Sequence, residues 1–498
     1  MDNLVGHNYD NAFMGGTLAL TSFKRQFGLV DKSTTEFNNL SSNIVITFQA
    51  GCLFACLLSL PCAEILGRRL TLIIPSIIFL IGAVIELVGN LESLYAGRIL
   101  TGLGLGPLTM VAPLYVSEIA PAAFRGRCIG FFEIMIQLGA LLGFWINYGV
   151  SRHISSSSAA QWRVPVSLQI PLICVLLLGS IFLPESPRFL MKRDNIEKAT
   201  STLCQLRNLD ISHPLLQQEL NDIYTEVQLE RESMGDTRGE STWTSIKKKW
   251  HECTRPQIMH RISVGVICQM IAQLSGINGM NYFSPLIFRS LGVTGTDTGL
   301  FATGIYGVVK SVSATVSMLF LVDRVGRKTL LLAACGIMSF SLFFVGAYVK
   351  IAQPDETTQD INSGAIAAIA FIYIYSIGYA SAFGGIPYIL SSETAPLNVR
   401  SISATLGASM QWLMNLVITK ATPYMISSIG YGTFFFFGSC VVCGGVYIFV
   451  FLPETKGVPL EHMAMAFGHE DMVAVTERIV KAKSDQHALS EVEQVEKV

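Results

Sequence analysis

The stretch that decides the fold is AEILGRR at 63–69, because the chain repeats it as VDRVGRK at 322–328. Two further pairs follow in the same order. SEIAPAAFRGR at 117–127 matches SETAPLNVRS at 392–401, and PESPR at 184–188 matches PETKG at 453–457. The partners lie about 260 to 275 residues apart each time. Three matches in one register indicate a duplicated chain made of two halves with the same plan.

The amino-acid composition indicates that most of the chain is surrounded by lipid rather than water. Of the 498 residues, 51% are hydrophobic and only 14% are charged, and the mean hydropathy is +0.48. A soluble chain would carry about 25% charged residues. The sequence therefore predicts an all-α, polytopic membrane protein. The net charge of −1 gives no support to nucleic-acid binding, and the 11 cysteines show no spacing typical of a zinc site or a disulfide framework.

Windows of about 19 residues predict the membrane spans. Eleven spans follow an uncertain first one, and a polar stretch of about 70 residues after 163–183 reads as amphipathic surface helices. The predicted spans are 44–62, 70–90, 96–117, 128–150, 163–183, 261–288, 299–321, 329–349, 365–391, 401–426 and 431–452. We therefore expect two six-helix bundles at 1–190 and 259–455, a cytosolic helical linker at 191–258 and a cytosolic tail at 456–498.

Basic residues predict the orientation of the bundles. Arg68, Arg127, Lys192, Arg327 and Arg400 all fall in loops on one side, together with most other Lys and Arg residues outside the spans. The opposite loops are poor in Lys and Arg, apart from Lys24, Arg25 and Lys32. By the positive-inside rule, both termini and the linker are expected in the cytosol.

These repeated motifs resemble the signature set of the sugar porter family of the major facilitator superfamily, over nearly the whole chain. GFWINYG at 143–149, GVVK at 307–310 and MNYFSP at 280–285 look most like fungal quinate permeases and related fungal sugar transporters. The resemblance implies a major facilitator fold and a multi-pass protein of the plasma membrane, expected to be monomeric. Parallel six-span repeats with a binding site between them are a transporter architecture.

The charged loop motifs imply a cytoplasmic gate. In the family such ion-pair networks hold the outward-facing state and break on opening inward. The matching residues are Glu64, Arg68, Glu118, Arg125 and Glu185 in the first half and Asp323, Arg327, Glu393, Arg400 and Glu454 in the second. The alternative, that these charges only set the topology, explains the basic residues but not the matched acids.

Ionisable residues inside spans are functional candidates, because each costs at least about 2.5–3.5 kcal/mol on insertion scales. NYD at 8–10 resembles an element of the first span that, in proton-coupled sugar porters, faces an Arg of the fourth. Asp10 and Arg98 are the matching pair. Beside Arg98 the carboxylate keeps its charge, and away from it burial favours protonation. Alternation between these environments would carry a proton inward; a static structural ion pair is the alternative.

The glycines after Arg98 have a packing interpretation. GRILTGLGLG at 97–106 looks like a phosphate loop, but no strand precedes it. Gly102 and Gly106 are four residues apart, which is typical of a small-residue face for close helix packing.

The first helix is expected to be short. In MDNLVGHNYDNAFMGG at 1–16, only nine largely polar residues precede Asp10, and as a helix they would extend about 14 Å. Family members have an apolar half-helix there. We therefore expect the first helix to be truncated at its cytosolic end, by a shortened gene model or by real loss, and in the latter case transport should be impaired.

Glu133, Lys310 and Lys420 are the other charges inside spans that are singled out as candidates. Glu133 stands where sugar porters commonly have a Gln, and Gln137 lies one turn along the same face. Glu133 is a second protonatable group, a hydroxyl acceptor or a structural partner of a nearby cation. Lys310 lies mid-span, where hexose carriers tend to be uncharged. It binds a carboxylate substrate such as quinate, or else pairs with Glu133 or another buried acid.

The remaining substrate-binding candidates come from the resemblance. A polyol that enters a binding site must replace its hydrogen bonds to water with hydrogen bonds to the protein. A broken helix that is rich in amide side chains and has no charged ones can supply them. Ala272 replaces the first of the family's two Gln residues, so the ligand set differs from that of glucose carriers. The candidates are Gln273, Asn278, Asn281 and Tyr282 of the seventh span, Gly384 and Tyr388 at a Gly-Pro hinge of the tenth, and Trp412 and Asn415 of the eleventh.

The sequence thus predicts a proton-coupled importer of a monosaccharide or a quinate-like polyhydroxylated acid, working by alternating access. A facilitative uniporter and a non-transporting nutrient sensor on the same fold are the alternatives. An enzyme is not expected, because the spans show no Ser/His, paired-Asp or metal-ligand set. No cofactor or metal is expected either.

Overall fold

Helices make up all the regular structure in the residues that the computed structural model describes, which are 3–30, 32–121, 125–233, 242–293, 295–353, 362–396, 399–456 and 467. The first half contains α1 (Asn3–Ala19), α2 (Thr21–Gln26), α3 (Thr34–Leu66), α4 (Arg68–Glu86), α5 (Leu91–Ile119), α6 (Arg125–His153), α7 (Ala160–Ser167) and α8 (Gln169–Phe182). The linker contains α9 (Pro187–Lys192), α10 (Ile196–Arg207), α11 (Pro214–Ser233) and α12 (Thr242–Cys253).

The second half repeats the plan with two interrupted spans. Its helices are α13 (Pro256–Leu274), α14 (Ile277–Ser290), α15 (Thr296–Val316), α16 (Val322–Val325), α17 (Arg327–Ala352), α18 (Ser363–Gly378), α19 (Ile386–Glu393), α20 (Arg400–Ile429) and α21 (Gly432–Phe451). Two wide π-helical turns, Ser317–Leu321 and Tyr379–Phe383, follow α15 and α18.

Ten stretches of the described residues are helical, long and apolar enough to cross a membrane. They coincide with ten of the eleven predicted spans. The prediction at 401–426 differs: α20 is a 30-residue helix there but is not among the ten. Its buried side chains include Thr405, Ser409, Asn415 and Thr419. We attribute the difference to position, because a helix surrounded by other helices does not need an apolar surface.

The distribution of side chains is that of a protein in lipid. Phe182 and Phe449, on α8 and α21, are 85% and 67% exposed, whereas Asp10 and Arg98 are fully buried. Because hydrocarbon cannot bond to the backbone, each span satisfies its own N–H and C=O groups as a helix. Polar side chains are therefore collected between the helices.

Small residues set the distance between α3 and α5. A Cβ added at Gly102 would collide with the carbonyl oxygen of Phe48, and one added at Gly106 would collide with that of Cys52. The predicted packing face is therefore present, since only glycine lets the two backbones approach this closely. The close contact holds α5, and with it Arg98, against α3.

The linker helices pack on one another through a small core of their own. This core consists of Met191, Ala199, Leu203, Leu216, Leu220 and Val227, as amphipathic surface helices require. Burial, with a contribution from neighbouring Glu252, raises the pKa of the Cys253 thiol to about 11. That cysteine therefore stays protonated and behaves as a small apolar residue.

The linker lies at one end of the bundle. Arg193 of the linker donates to the carbonyl oxygens of Glu64 and Ile65 at the end of α3, at 3.0 and 2.9 Å. We call this the linker end; it also carries the turn between α3 and α4. The opposite end, where α3 begins at Thr34, is called the distal end.

Candidate functional site

The ion pair between α1 and α5 lies at the centre of the first half. Arg98 Nη1 donates to Asp10 Oδ1 at 2.6 Å, and both side chains are fully buried. The Phe48 ring covers the guanidinium, with 4.6 Å from Arg98 Cζ to the ring centroid. The contact that the resemblance implies is thus present; its role in proton coupling stays a prediction.

A second carboxylate, which sequence reasoning missed, faces the same arginine. Glu86 Oε1 lies 3.9 Å from Arg98 Nη1, and Glu86 is fully buried at the end of α4. Thr101 donates to it at 3.1 Å and Gln169 at 2.9 Å. One nitrogen of the guanidinium therefore faces two buried acids. An acid within the predicted span 70–90 was the available signal, by the rule that selected Asp10.

The hydrogen bonding of this three-residue cluster is incomplete. Among the described residues, Asp10 Oδ2 and Arg98 Nη2 have no hydrogen-bond partner. An unsatisfied buried polar atom costs about 1–3 kcal/mol, and more when it is charged. Asp10 and Arg98 are therefore joined by one short hydrogen bond rather than by two. The second carboxylate oxygen of Asp10 and the second terminal nitrogen of Arg98 stay available for a further hydrogen bond.

Glu133 and Gln137 lie together on α6, as their spacing predicts. Gln137 Nε2 donates to Glu133 Oε1 at 2.6 Å, and both side chains are buried. A Cβ on Gly384 would lie 2.8 Å from Glu133 Oε1, so Glu133 packs directly on the second half. Ser311 of α15 also donates to the Gln137 carbonyl oxygen, at 3.0 Å. This acid is therefore at the contact between the halves.

Lys310 lies in the same interior, on α15. Its amine is 3.4 Å from Asn281 Oδ1 and 6.0 Å from the centroid of the Tyr379 ring. Tyr306 donates to the same Asn281 oxygen at 3.3 Å. Within the described part of the chain Lys310 forms no salt bridge, so pairing with Glu133 is not observed. A buried ammonium with no carboxylate in salt-bridge contact can bind the carboxylate of a ligand.

The seventh span is broken where the amides occur. α13 ends at Leu274, and Gly276 turns the chain with φ of +86° before α14 begins. Across this break Asn278 donates to Gln273 Oε1, and Asn281 donates to Asn278 Oδ1 at 3.5 Å. The predicted amides therefore form one chain that ends at Lys310.

The tenth span is also broken, at the predicted glycine-proline hinge. The π-helical turn Tyr379–Phe383 leads into Gly384 and Gly385, and α19 starts at Ile386 with Pro387 in its first turn. Proline lacks the N–H that would continue the helix. Tyr388 is half-buried on the short helix that follows. The geometry suits a half-helix that tilts about the two glycines.

On α20 the predicted aromatic and amide reach across to the first half. Trp412 Nε1 lies 3.5 Å from Thr109 Oγ1, and its ring packs edge-on against Phe48 at 6.0 Å between centroids. Gln49 of α3, a second residue that sequence reasoning missed, donates to Asn415 Oδ1 at 3.0 Å. Phe48 thus contacts both Arg98 and Trp412, which joins the ion pair to the interface between the halves.

At the linker end of the first half, two acids hold the start of α4. Arg68 Nε and Nη2 fork onto the Glu118 carboxylate at 2.9–3.2 Å, with both side chains 3% exposed. Glu185 accepts from the backbone N–H groups of Arg68 and Ser186, at 2.9 and 3.0 Å. A carboxylate at a helix N-terminus meets unpaired N–H groups and the positive end of the helix dipole. Glu64 lies 3.8 Å from Lys249 of the linker.

The second half repeats this arrangement. Glu454 accepts from the backbone N–H groups of Arg327 and Lys328 at the start of α17, at 2.9 and 3.2 Å. Arg327 Nη2 lies 3.7 Å from Glu393 Oε1. The side chains of Arg125 and Asp323 fall outside the described residues, and Arg400 is half-buried at the start of α20. The repeated sequence motifs therefore correspond to repeated contacts.

Known proteins match this chain over most of its length. Residues 5–467 match the family described as sugar (and other) transporters. The chain belongs to that family. This transporter is 40% identical to a probable quinate permease of Neosartorya fischeri over 464 residues, which are 92% of this chain and 84% of the relative. It is 39% identical over 465 residues to a quinate permease of Emericella nidulans, covering 92% and 85% of the two chains.

Solved structures agree on the fold. The proton:xylose symporter XylE of the major facilitator superfamily, bound to 6-bromo-6-deoxy-D-glucose, is 25% identical with a TM-score of 0.75, covering 94% of this chain and 97% of that one. A partially occluded, inward-open XylE from E. coli has a TM-score of 0.73 at 24% identity. The match covers 92% of this chain and 98% of that one. The transporter therefore has the major facilitator fold, and it is a multi-pass membrane protein. In its described residues, no group of three or more His, Cys, Asp or Glu side chains could hold a metal ion.

The fork between Arg68 and Glu118 gives a stability prediction. Arg68→Met leaves Glu118 buried without its counter-ion, and we expect a loss of about 3–5 kcal/mol, since breaking a buried pair strands a charge. Arg68→Met with Glu118→Met removes both charges, so most of the loss should be recovered. Thermal unfolding of the purified transporter in detergent measures both.

The matched control for this fork is an exposed ion pair. Arg255, whose side chain is 69% exposed, pairs with Glu252 at 2.9 Å. Arg255→Met should change stability by less than about 1 kcal/mol. A double variant no more stable than Arg68→Met alone would show that the fork is not what holds these helices.

Proposed function

We propose that this chain is a secondary active transporter that imports a monosaccharide or a quinate-like polyhydroxylated acid together with protons, by alternating access. The observation that carries the proposal is the fully buried ion pair of Asp10 and Arg98, 2.6 Å apart, with a second acid, Glu86, 3.9 Å from the same arginine. The names of the relatives, proton:xylose symporter and quinate permease, support the same substrate classes and coupling.

The proton step follows from the charges of this cluster. While Asp10 and Glu86 are both ionised, the two carboxylates carry one negative charge more than Arg98 balances. Protonation of Asp10 removes that charge, and Glu86, already in place, keeps Arg98 balanced within the low-dielectric interior. Without a second acid, protonation would leave an unbalanced buried cation, which is expensive. The arrangement therefore lets the contact between α1 and α5 loosen at low cost.

The loosening reaches the substrate side through α1. A Cβ on Gly15 would lie 2.7 Å from the carbonyl oxygens of Asn281 and Tyr282, so α1 packs directly on the broken span that carries the amides. Movement of α1 relative to α5 changes that packing. This is a mechanical route from the proton site to the residues proposed to bind substrate: Gln137, Gln273, Asn278, Asn281, Tyr282, Lys310, Gly384, Tyr388, Trp412 and Asn415.

The linker end is proposed to face the cytosol, with both termini on that side and the protein acting as a monomer in the plasma membrane. Most basic residues outside the spans are at this end, as the positive-inside rule requires. The acids that hold α4 and α17 are proposed to close the linker end while the distal end is accessible, and to release it when the halves rock.

Uptake by the purified protein in proteoliposomes tests the proposal. Labelled quinate, glucose, xylose and galactose are offered with an inward pH gradient, and external alkalinisation is recorded. We expect accumulation of one class, together with proton uptake. A difference of one pH unit is worth about 1.4 kcal/mol and supports about tenfold accumulation for one proton per substrate.

Measurements on the same vesicles distinguish a neutral sugar from an acid as substrate, and a symporter from a uniporter or a sensor. A membrane potential, worth about 2.3 kcal/mol per charge per 100 mV, drives symport of a neutral sugar with one proton but not of a monocarboxylate with one proton. Equilibration without accumulation or alkalinisation would establish a uniporter instead. Binding without any uptake would favour a sensor and overturn the proposal.

A further inference from the structure

The distal end contains a cavity of about 750 Å³ between the two halves. Its wall in the first half comes from α1, α2 and the start of α3, and its wall in the second half comes from α14, the start of α15 and α20. Asn38 of α3 bridges the two walls by donating to the carbonyl oxygen of Pro423 at 3.3 Å. The cavity is therefore a property of the interface between the halves, on the side opposite the linker.

The charged groups that line this cavity are all cations. Lys24, Lys32 and Arg289 contribute to its wall, and the described lining residues include no Asp or Glu. Lys24 is half-buried, with its amine 5.9 Å from the centroid of the Phe37 ring. Burial and the nearby guanidinium of Arg289 lower the pKa of Lys24. Lys24 of the first half and Arg289 of the second half therefore line the same space.

The floor of the cavity adjoins the proposed substrate residues. Tyr282 and Gly15 line it, and the residue next to Tyr282 is Asn281, whose side chain holds the Lys310 amine at 3.4 Å. Gly15 packs directly on the backbone of α14 at this floor. Lys310 is therefore a fourth cation, in contact with the residue next to this floor.

We propose that this cavity is an outer vestibule that captures an organic carboxylate through Lys24, Lys32 and Arg289 and delivers it to Lys310. This rests on the proposed function and makes it more specific, because it assigns the substrate to the anions rather than to the neutral sugars. It also gives a role to Lys24 and Lys32, which are basic residues on the side of the membrane where the loops otherwise contain few.

The physical basis is electrostatic focusing. A cleft lined by one sign of charge, with low-dielectric walls, raises the local concentration of oppositely charged ligand and its association rate by about 10- to 1,000-fold. A carboxylic acid with a pKa near 4 is an anion at neutral pH and gains this advantage, whereas a neutral sugar gains nothing. The advantage falls as salt shortens the Debye length from about 30 Å at 0.01 M to about 8 Å at 0.15 M.

The test compares the double variant Lys24→Gln with Lys32→Gln against Arg25→Gln. Arg25 is exposed on the same short helix but does not line the cavity, so it is the matched control. Stopped-flow binding of quinate to the purified protein gives the association rate without requiring transport. At low salt we expect the double variant to bind about tenfold more slowly, with no change for Arg25→Gln and no difference at about 0.15 M salt.

The vestibule would be overturned by the absence of quinate binding to the unchanged protein, or by an association rate that neither salt nor the double variant alters. An equal loss in Arg25→Gln would also overturn it, since the effect would then be one of overall charge. Thermal unfolding confirms that each variant is folded. Salt-dependent quinate binding without proton-coupled uptake would overturn the proposed function alone, so the two failures are distinguishable.

Discussion

Asp10→Asn is expected to abolish accumulation of substrate while leaving equilibration across the membrane. Asparagine keeps the shape of the side chain and an oxygen that can accept from Arg98, but it does not exchange a proton. Arg98 keeps a counter-ion in Glu86, 3.9 Å away, so the variant should fold. With a gradient of one pH unit, the ratio of internal to external substrate should fall from about ten to one, a loss of about 1.4 kcal/mol of coupling.

The measurement uses net uptake and counterflow in the same vesicles. Net uptake reports coupling, and counterflow of labelled against unlabelled substrate reports the movement of the loaded carrier alone. Asp194→Asn is the matched control, because its side chain is 67% exposed in a linker ion pair far from the cluster. Accumulation by Asp10→Asn at the unchanged level would remove Asp10 from the coupling mechanism. Loss of counterflow in a folded variant would indicate a static structural pair.

Glu86→Gln is the companion to this experiment. It keeps Asp10 and removes the acid that we propose balances Arg98 when Asp10 is protonated. Accumulation should persist, but half-maximal uptake should require a lower external pH, because protonation then leaves the arginine unbalanced. A structural role for Glu86 would lower activity at every pH without moving the profile.

Lys310→Met is expected to reduce kcat/KM for quinate by about 10- to 100-fold. A hydrogen bond to a charged group contributes about 1.5–3 kcal/mol, and each 1.4 kcal/mol is a factor of ten. Methionine fills a similar volume without charge, so the fold should be retained. Uptake of any neutral polyol that the protein carries should change little, because such a substrate needs hydrogen bonds but no cation.

The control for this variant is Lys350→Met, at the end of α17, where the amine lies 5.4 Å from the centroid of the Tyr431 ring. It removes a lysine that belongs neither to the proposed substrate residues nor to the lining of the distal cavity, so quinate uptake should be unchanged. If quinate does not compete with hexose uptake, and Lys310→Met still transports hexoses normally, the substrate is not an acid. Competition between unlabelled quinate and each labelled sugar supplies the comparison.

Much of the architecture follows from the sequence because lipid leaves the backbone few choices. Ten predicted spans are helices of membrane length, since in hydrocarbon a segment must satisfy its own hydrogen bonds. The repeated motifs at Arg68 and Arg327 predicted repeated contacts, because the same short turns place the same acids, Glu185 and Glu454, at helix N-termini. The sequence was less informative for α20, whose polar face is explained only by its buried position.

The pairing of side chains between helices was decided by the tertiary structure. Glu86 joins the cluster at Arg98, Gln49 meets Asn415 across 366 positions, and Lys310 contacts Asn281 rather than Glu133. Such contacts depend on how each helix is rotated and how closely it approaches its neighbours. Small residues such as Gly102 and Gly15 set that approach, and hydropathy does not encode it.

The distal cavity is another feature whose residues are visible in the sequence but whose assembly depends on the tertiary structure. From the sequence alone, Lys24 and Lys32 were exceptions in an outer loop, and Arg289 was not singled out. In the folded chain all three residues line the distal cavity, whose floor includes Tyr282. The sequence by itself determined the membrane helices, the duplicated halves and the residues of the Asp10–Arg98 pair. Only the tertiary structure decided which charges share a compartment, because that depends on the packing of helices distant in the chain.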